Sequence, residues 1–354
     1  MKTPHALFLA FFMLYISGCA PKKEDNMQEK INTELHKIDS LLRDAAYNEA
    51  MAKTLAAAYY KSSGQEVPTF LEAGEDTATT IKSVKEEKIA TNLAGFYALE
   101  CGIGLLSAQT NEKPVDWLQK ILNSKVDSAT VLLLNRFANA TWKAGQPFRH
   151  LQRITRPTFT VFNFLPADEV KKDYDQIHRA AAILSSYLQP VKDSSANAQF
   201  EKIKAVMQNK ETALAIADSM HAAYYINLQQ EVPAFIIAGE DTATIRKSVK
   251  DQKIATNVAG FYALECGLNY FAAAKNIAPS QMLQSITDGT ISKEDKMLLL
   301  RFANATWKAG QPFRSLDRIQ KDNFIPFNLL SDAEVEKDMV QIKAAAEKLL
   351  KDLQ

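Results

Sequence analysis

Glu100 is the residue whose chemistry most needs explaining. At about 100° per residue it falls in the middle of a helical stripe made by Ile89, Leu93, Phe96, Tyr97 and Ile103. A carboxylate placed there is buried or lines a cavity, and burying it without a partner is costly. A second helical stretch offers cations. Arg136, Asn139 and Lys143 share one edge, beside the apolar face of Leu133, Phe137, Ala140 and Ala144. The whole set is written again as Glu265, Arg301, Asn304 and Lys308. The expected pairings are Glu100 with Arg136 and Glu265 with Arg301, with Lys143 as the competing partner two turns along its helix.

Three kinds of chemistry fit this set. A structural ion pair would fix helix register. A pocket wall would keep its cations available for an anionic ligand, and Arg149 and Arg153, just past the helix end, with Arg314 and Arg318 in the second copy, would extend that wall. A carboxyl with a raised pKa would serve a hydrolase or lyase as acid or base through Glu100 and Glu265. The candidate ligand-binding residues are therefore Glu100, Arg136, Asn139, Lys143 and Arg149, with Glu265, Arg301, Asn304, Lys308 and Arg314. No catalytic residue is assigned, and non-catalytic binding or scaffolding is the favoured reading. Trp142 and Trp307 lie off the cationic edge and are expected to pack against a neighbouring helix.

The elements that position these residues come in two sets. Arg136 to Arg149 recurs letter for letter at Arg301 to Arg314, an offset of 165 residues. From Glu66 to Cys101, 28 of 36 positions match their partners at the same offset, so polar identity is retained where packing alone would tolerate drift. Glu75-Asp76-Thr77 and Glu240-Asp241-Thr242 also repeat. They suit helix capping better than a hard cation, since no calcium-loop spacing is present.

Low glycine and proline, 12 each in 354 residues, with abundant Ala, Leu, Lys and Glu, point to an all-α protein. The periodicity predicts helices at 28–61, up to 108, 115–123, 127–145 and 166–188, with a short helix from Pro68 to Gly74. Ser83 with Glu86 forms a capping box, competing with Asp76 as the start of the long helix. The cycle restarts after residue 198, with a short helix at Pro233 to Ala238. The expected architecture is two tandem homologous modules, 28–189 and 199–354, joined by a linker at 190–198. Each would be four-helix-bundle-like with two extra short helices.

Lys plus Arg is 42 and Asp plus Glu is 41, which leaves no bulk charge to attract nucleic acid. No histidine of the body recurs in the other copy, and phosphate-loop and nucleophile-elbow patterns are missing. Nothing calls for a metal or a cofactor. Cys101 and Cys266 occupy one repeat position, so neither copy can staple itself. Buried free thiols are expected, unless a pseudo-twofold axis brings the two sulfurs together.

Before the first helix, Met1-Lys2-Thr3 and the apolar run Ala6 to Ile16 read as a signal peptide over residues 1–18. The run ends in Ile16-Ser17-Gly18-Cys19, which resembles the lipobox of bacterial lipoproteins. The resemblance covers about the first 20 residues. It implies that Cys19 is acylated, with residues 19–27 as a lipidated tether and the bilayer as partner. Ala20 after the cysteine implies the outer membrane of the cell envelope, at its periplasmic face or the cell surface. The resemblance leaves open which envelope protein or small ligand the body meets.

Overall fold

The computed structural model describes residues 23–354. Cys19 and the expected signal segment lie outside the described residues. The helices are α1 Lys23–Arg43, α2 Ala45–Ser62, α3 Val84–Thr110, α4 Pro114–Leu122, α5 Ser128–Arg149 and α6 Ala167–Leu188, then α7 Ala196–Met207, α8 Lys210–Asn227, α9 Val249–Lys275, α10 Pro279–Thr287, α11 Lys293–Arg314 and α12 Asp332–Leu353. Two short strands, β1 Thr79–Ser83 and β2 Thr244–Ser248, pair with each other. The protein is all-α apart from this ribbon.

Local chemistry sets the boundaries. The single helix expected over 28–61 is two, because the Asp44 side chain accepts from Tyr47 N and starts a new one. Asn209 does the same for Thr212 N between α7 and α8. Ser83 caps α3 by accepting from Glu86 N, which places the start of that helix at Ser83; the return bond of a capping box is not made, since Glu86 Oε2 accepts from Leu316 N. The short helices expected at 68–74 and 233–238 are turns instead. Gly74 and Gly239 sit at φ +85° and +88°, and Glu75 and Glu240 reach back to the backbone N–H of Glu72 and Ile237. The conserved-looking acidic run is thus a side-chain-stapled turn.

The helix bearing the repeated stretch runs four residues past its expected end at Gly145. It takes Pro147 into its last turn, where the missing N–H forgoes the hydrogen bond that a residue there would give the Lys143 carbonyl. Gly145 serves close approach rather than termination. A Cβ there would lie 3.0 Å from the Phe313 ring, and one at Gly310 would lie 3.0 Å from Phe148. Those two rings stack at 5.4 Å and 5°.

The expected division into modules 28–189 and 199–354 is not how the core is built. The helices α3, α5, α9 and α11 pack on one another at the centre, α3 against α11 and α5 against α9 as closely as within each half. Around them α2 packs on α9 and α12, while α8 packs on α3 and α6. The first long helices of each half therefore complete the helical layer of the other. One connected apolar core extends from Ile31 to Leu353. The 190–198 stretch is not a free linker, since Gln199 bonds the carbonyls of Val191, Lys192 and Ser194. The helix Val84–Thr110 is long and apolar enough to cross a membrane, but most of its apolar stretch is buried inside this body.

The ribbon was not expected from periodicity. Its five-residue strands run antiparallel with Ile81 opposite Arg246, so each central residue faces its own repeat counterpart, 165 positions away. The Phe137–Phe302 stack, at 4.3 Å between ring centroids, is another pairing of equivalents. Both pair a residue with the one that stands 165 positions on in the sequence.

Candidate functional site

Glu100 and Glu265 are fully buried, as their place on the apolar stripe demands. Their partners differ from the expected ones. Lys308 Nζ meets Glu100 Oε2 at 2.5 Å, and Lys143 Nζ meets Glu265 Oε2 at 2.7 Å, with all four side chains sealed from solvent. Each pair joins the two halves. The second carboxylate oxygen is satisfied differently in each, by Phe327 N in one half and by Asn269 Nδ2 in the other. Gly104 stands where the second half has Asn269, and a Cβ there would press to 2.6 Å from Asn328 Oδ1.

Arg136 and Arg301 do not touch these carboxylates as hydrogen-bond partners. Arg136 donates to Asn163 Oδ1 at 2.8 Å and lies 4.4 Å from the Phe162 ring centre. Arg301 repeats this with Asn328 at 2.9 Å and Phe327 at 4.4 Å. Burial holds both guanidinium groups down to about 10, against the pull of nearby Glu265 and Glu100. Arg136 and Lys143 are seven residues apart on one helix face, so helical geometry alone cannot say which of them meets the glutamate. The halves' interpenetration decides it. The two thiols are buried and free, and burial pushes both well up, so neither is a nucleophile at neutral pH.

Among the described residues, two large grooves open to solvent, with cavity volumes of about 1200 and 790 Å³. The smaller is walled by α3, α5 and α6 with α8 of the other half. The larger is walled by α9, α11 and α12 with α2. Six lining positions correspond: Asn92, Trp142, Arg149, Arg153, Asp173 and Tyr224 in the smaller match Asn257, Trp307, Arg314, Arg318, Asp338 and Tyr59 in the larger.

Of the expected site residues, Arg149 and Arg314 line the grooves, and Asn139 lines the smaller one. Asn304 instead faces Cys101 Sγ at 3.8 Å. Glu100, Glu265, Lys143, Lys308, Arg136 and Arg301 lie behind the groove walls. Trp142 and Trp307 pack at 5.9 and 5.8 Å on Phe159 and Phe324, which lie in the irregular segments after α5 and α11 and not on a neighbouring helix, and both tryptophans are half-buried and line the grooves.

Sequence reasoning missed two groups. Asp173 and Asp338 sit on the last helix of each half, and burial pushes them up to about 8 and about 7 despite Lys143 and Lys308 nearby. Their identity in both copies was a usable signal, hidden within a helix that had otherwise drifted. The tyrosines come from the other half, which no pattern within one repeat reveals.

At the mouth of each groove stands a cationic cluster. Arg153 Nε and Arg318 Nε donate to Gln146 Oε1 and Gln311 Oε1 at 2.7 Å, and both arginines line their grooves. Among the described residues, none of Arg149, Arg153, Arg314 and Arg318 makes an ion pair with a carboxylate. Among the described residues no cluster of His, Cys, Asp and Glu suits a metal ion. No protein-family model, curated protein or solved structure matches the chain, so the grooves stand on their geometry alone.

Proposed function

We propose that this protein is a lipid-anchored lipoprotein of the bacterial cell envelope, in the outer membrane, whose helical body binds an anionic small molecule without catalysis. The observation that carries the binding reading is the unpaired arginine pair, repeated at the mouth of two equivalent grooves. Guanidinium forks match carboxylate and phosphate oxygens, and the half-buried tryptophan offers an apolar face for the remainder of a ligand. The acid–base alternative has less support: the Glu100 and Glu265 carboxylates are each taken up by a lysine and sealed behind the wall. The anchor rests on Cys19 and the lipobox resemblance.

We also infer that the sequence repeat is an internal duplication in which the halves exchanged their first helices. Equal element lengths support this, 27 residues for α3 and α9 and 22 for α5 and α11.

The test uses the purified full chain. Inorganic phosphate is expected to raise its melting temperature in a saturable way. Replacing Arg149, Arg153, Arg314 and Arg318 with Met should abolish that shift, and an unchanged shift would remove the grooves from the reading. Separately, Cys19→Ala should end acyl-chain labelling and release the chain from membranes; persistent labelling contradicts the anchor.

A further inference from the structure

The two grooves are equivalent in outline but not in charge. The smaller groove is lined by Lys88, Arg149, Arg153, Arg156 and Lys172, opposed by Glu87, Glu169 and Asp173. The larger is lined by Lys53, Lys82, Lys253, Arg314, Arg318 and Lys321, with Glu72 and Asp338. Lys88 and Lys172 pair with Glu240 and Glu169, and Lys53 and Lys253 with Glu49 and Glu75, which leaves Arg149, Arg153 and Arg156 in the smaller groove and Lys82, Arg314, Arg318 and Lys321 in the larger. Glu72 is exposed at the surface, which leaves the inner part of the larger groove the more positive.

One substitution between the halves accounts for much of the difference. Glu87 lies beside the arginines of the smaller groove and bonds Lys247 at 2.6 Å. Its repeat counterpart in the larger groove is Gln252, whose amide donates to Phe148 O at 2.9 Å and brings no charge. Lys82, the counterpart of Lys247, donates to Arg314 O at 2.6 Å and is left without a glutamate at that position.

The titration directions agree with this geometry. Burial and the repulsion of neighbouring arginines lower Arg149 and Arg153, the latter to about 10, and Glu87 partly restores both. In the larger groove burial and the repulsion of Arg318 hold Arg314 to about 10. Lys82 is lowered by burial and by Arg314 and Arg318, with Glu86 opposing. Lys321 is lowered by burial and by the same two arginines. An anion bound there would relieve cations that now repel one another.

Resting on the anion-binding reading, we infer that the two grooves are unequal sites for a phosphorylated small molecule, the α9–α11–α12 groove binding it more tightly because Gln252 replaces Glu87. A phosphomonoester is the class that fits: its dianionic group would answer several arginine and lysine side chains at once, while its organic part lies along Trp307. Wall groups such as Asn257 and Gln341 suit a hydroxylated ring. The difference in charge, acting on a dianion through partly screened solvent, favours the larger groove by about tenfold.

Isothermal titration of the full chain at low ionic strength, with inorganic phosphate and with glucose 6-phosphate, tests this. Two classes of site about tenfold apart are expected. Arg314→Met with Arg318→Met should remove the tighter class, and Arg149→Met with Arg153→Met the weaker. Glu87→Gln should draw the weaker site toward the tighter one, and Gln252→Glu should do the reverse. Should Gln252→Glu fail to fold, Lys321→Gln, at an exposed position, should weaken the tighter class alone. Two equal sites, or tight binding indifferent to both Gln252→Glu and Lys321→Gln, would overturn the inequality and leave anion binding standing. No saturable binding of either probe would bring down both.

Discussion

At the scale of single residues, the chain places its strongest electrostatic bonds where no ligand reaches them. Glu100 and Lys308 are 208 positions apart and both sealed. Removing one partner leaves a lone buried charge, so Lys308→Met should cost about 3–5 kcal/mol. Replacing both with Leu and Met should cost much less, and a double-mutant cycle by urea denaturation should show strong coupling. Additive losses would mean that each group is satisfied by its other neighbours.

The groove carboxyls carry the opposite signature. Asp173 and Asp338 are raised from an ordinary 3.8 to about 8 and about 7, so the folded chain holds protons that the unfolded chain has released. Stability from this source is present below pH 4 and is lost as pH rises to 8. The melting temperature should therefore fall across that window, and Asp173→Asn with Asp338→Asn should flatten the fall. A slope unchanged by these variants would assign it elsewhere.

At the scale of elements, the helices that carry the repeat were legible and their neighbours were not. Apolar periodicity located most of the long helices, and Ser83 as an N-cap located the start of α3. The same periodicity ran across Asp44 and Asn209 because a capping side chain interrupts the backbone without interrupting the stripe. The ribbon is too short to show an alternating pattern, and its strands lie 165 residues apart. The partner of Glu100 was illegible for a geometric reason, since Arg136 and Lys143 lie on one face and the answer depends on which half supplies the opposing helix.

Close packing between α5 and α11 makes its own demand. Gly310→Ala adds a Cβ 3.0 Å from the Phe148 ring. Overpacking costs about 1–3 kcal/mol, and the gain in helix propensity returns roughly 1. The denaturation midpoint should drop by about 1 kcal/mol of stability at unchanged slope; a rise would show that the Phe148–Phe313 stack yields freely.

At the scale of the whole molecule, the repeat suggested two bodies and the core shows one. Because α2 and α8 each complete the opposite half, neither half keeps its own apolar face covered alone. Calorimetric unfolding should show a single transition with matching calorimetric and van't Hoff enthalpies. Two resolved transitions would restore independent modules.

The interlocking of first helices also changes what the covalent connection between halves contributes. Residues 192–195 lie mostly exposed between α6 and α7, the kind of site proteases cut first. A chain nicked there would not come apart. Its N-terminal fragment would still be gripped through α2 by α9 and α12, and Lys37 would still hold the Leu353 carbonyl at the far end of the chain. The peptide bond between the halves is thus a matter of assembly, bringing the two fragments together at high effective concentration. Once folded, the body is clasped by its own topology.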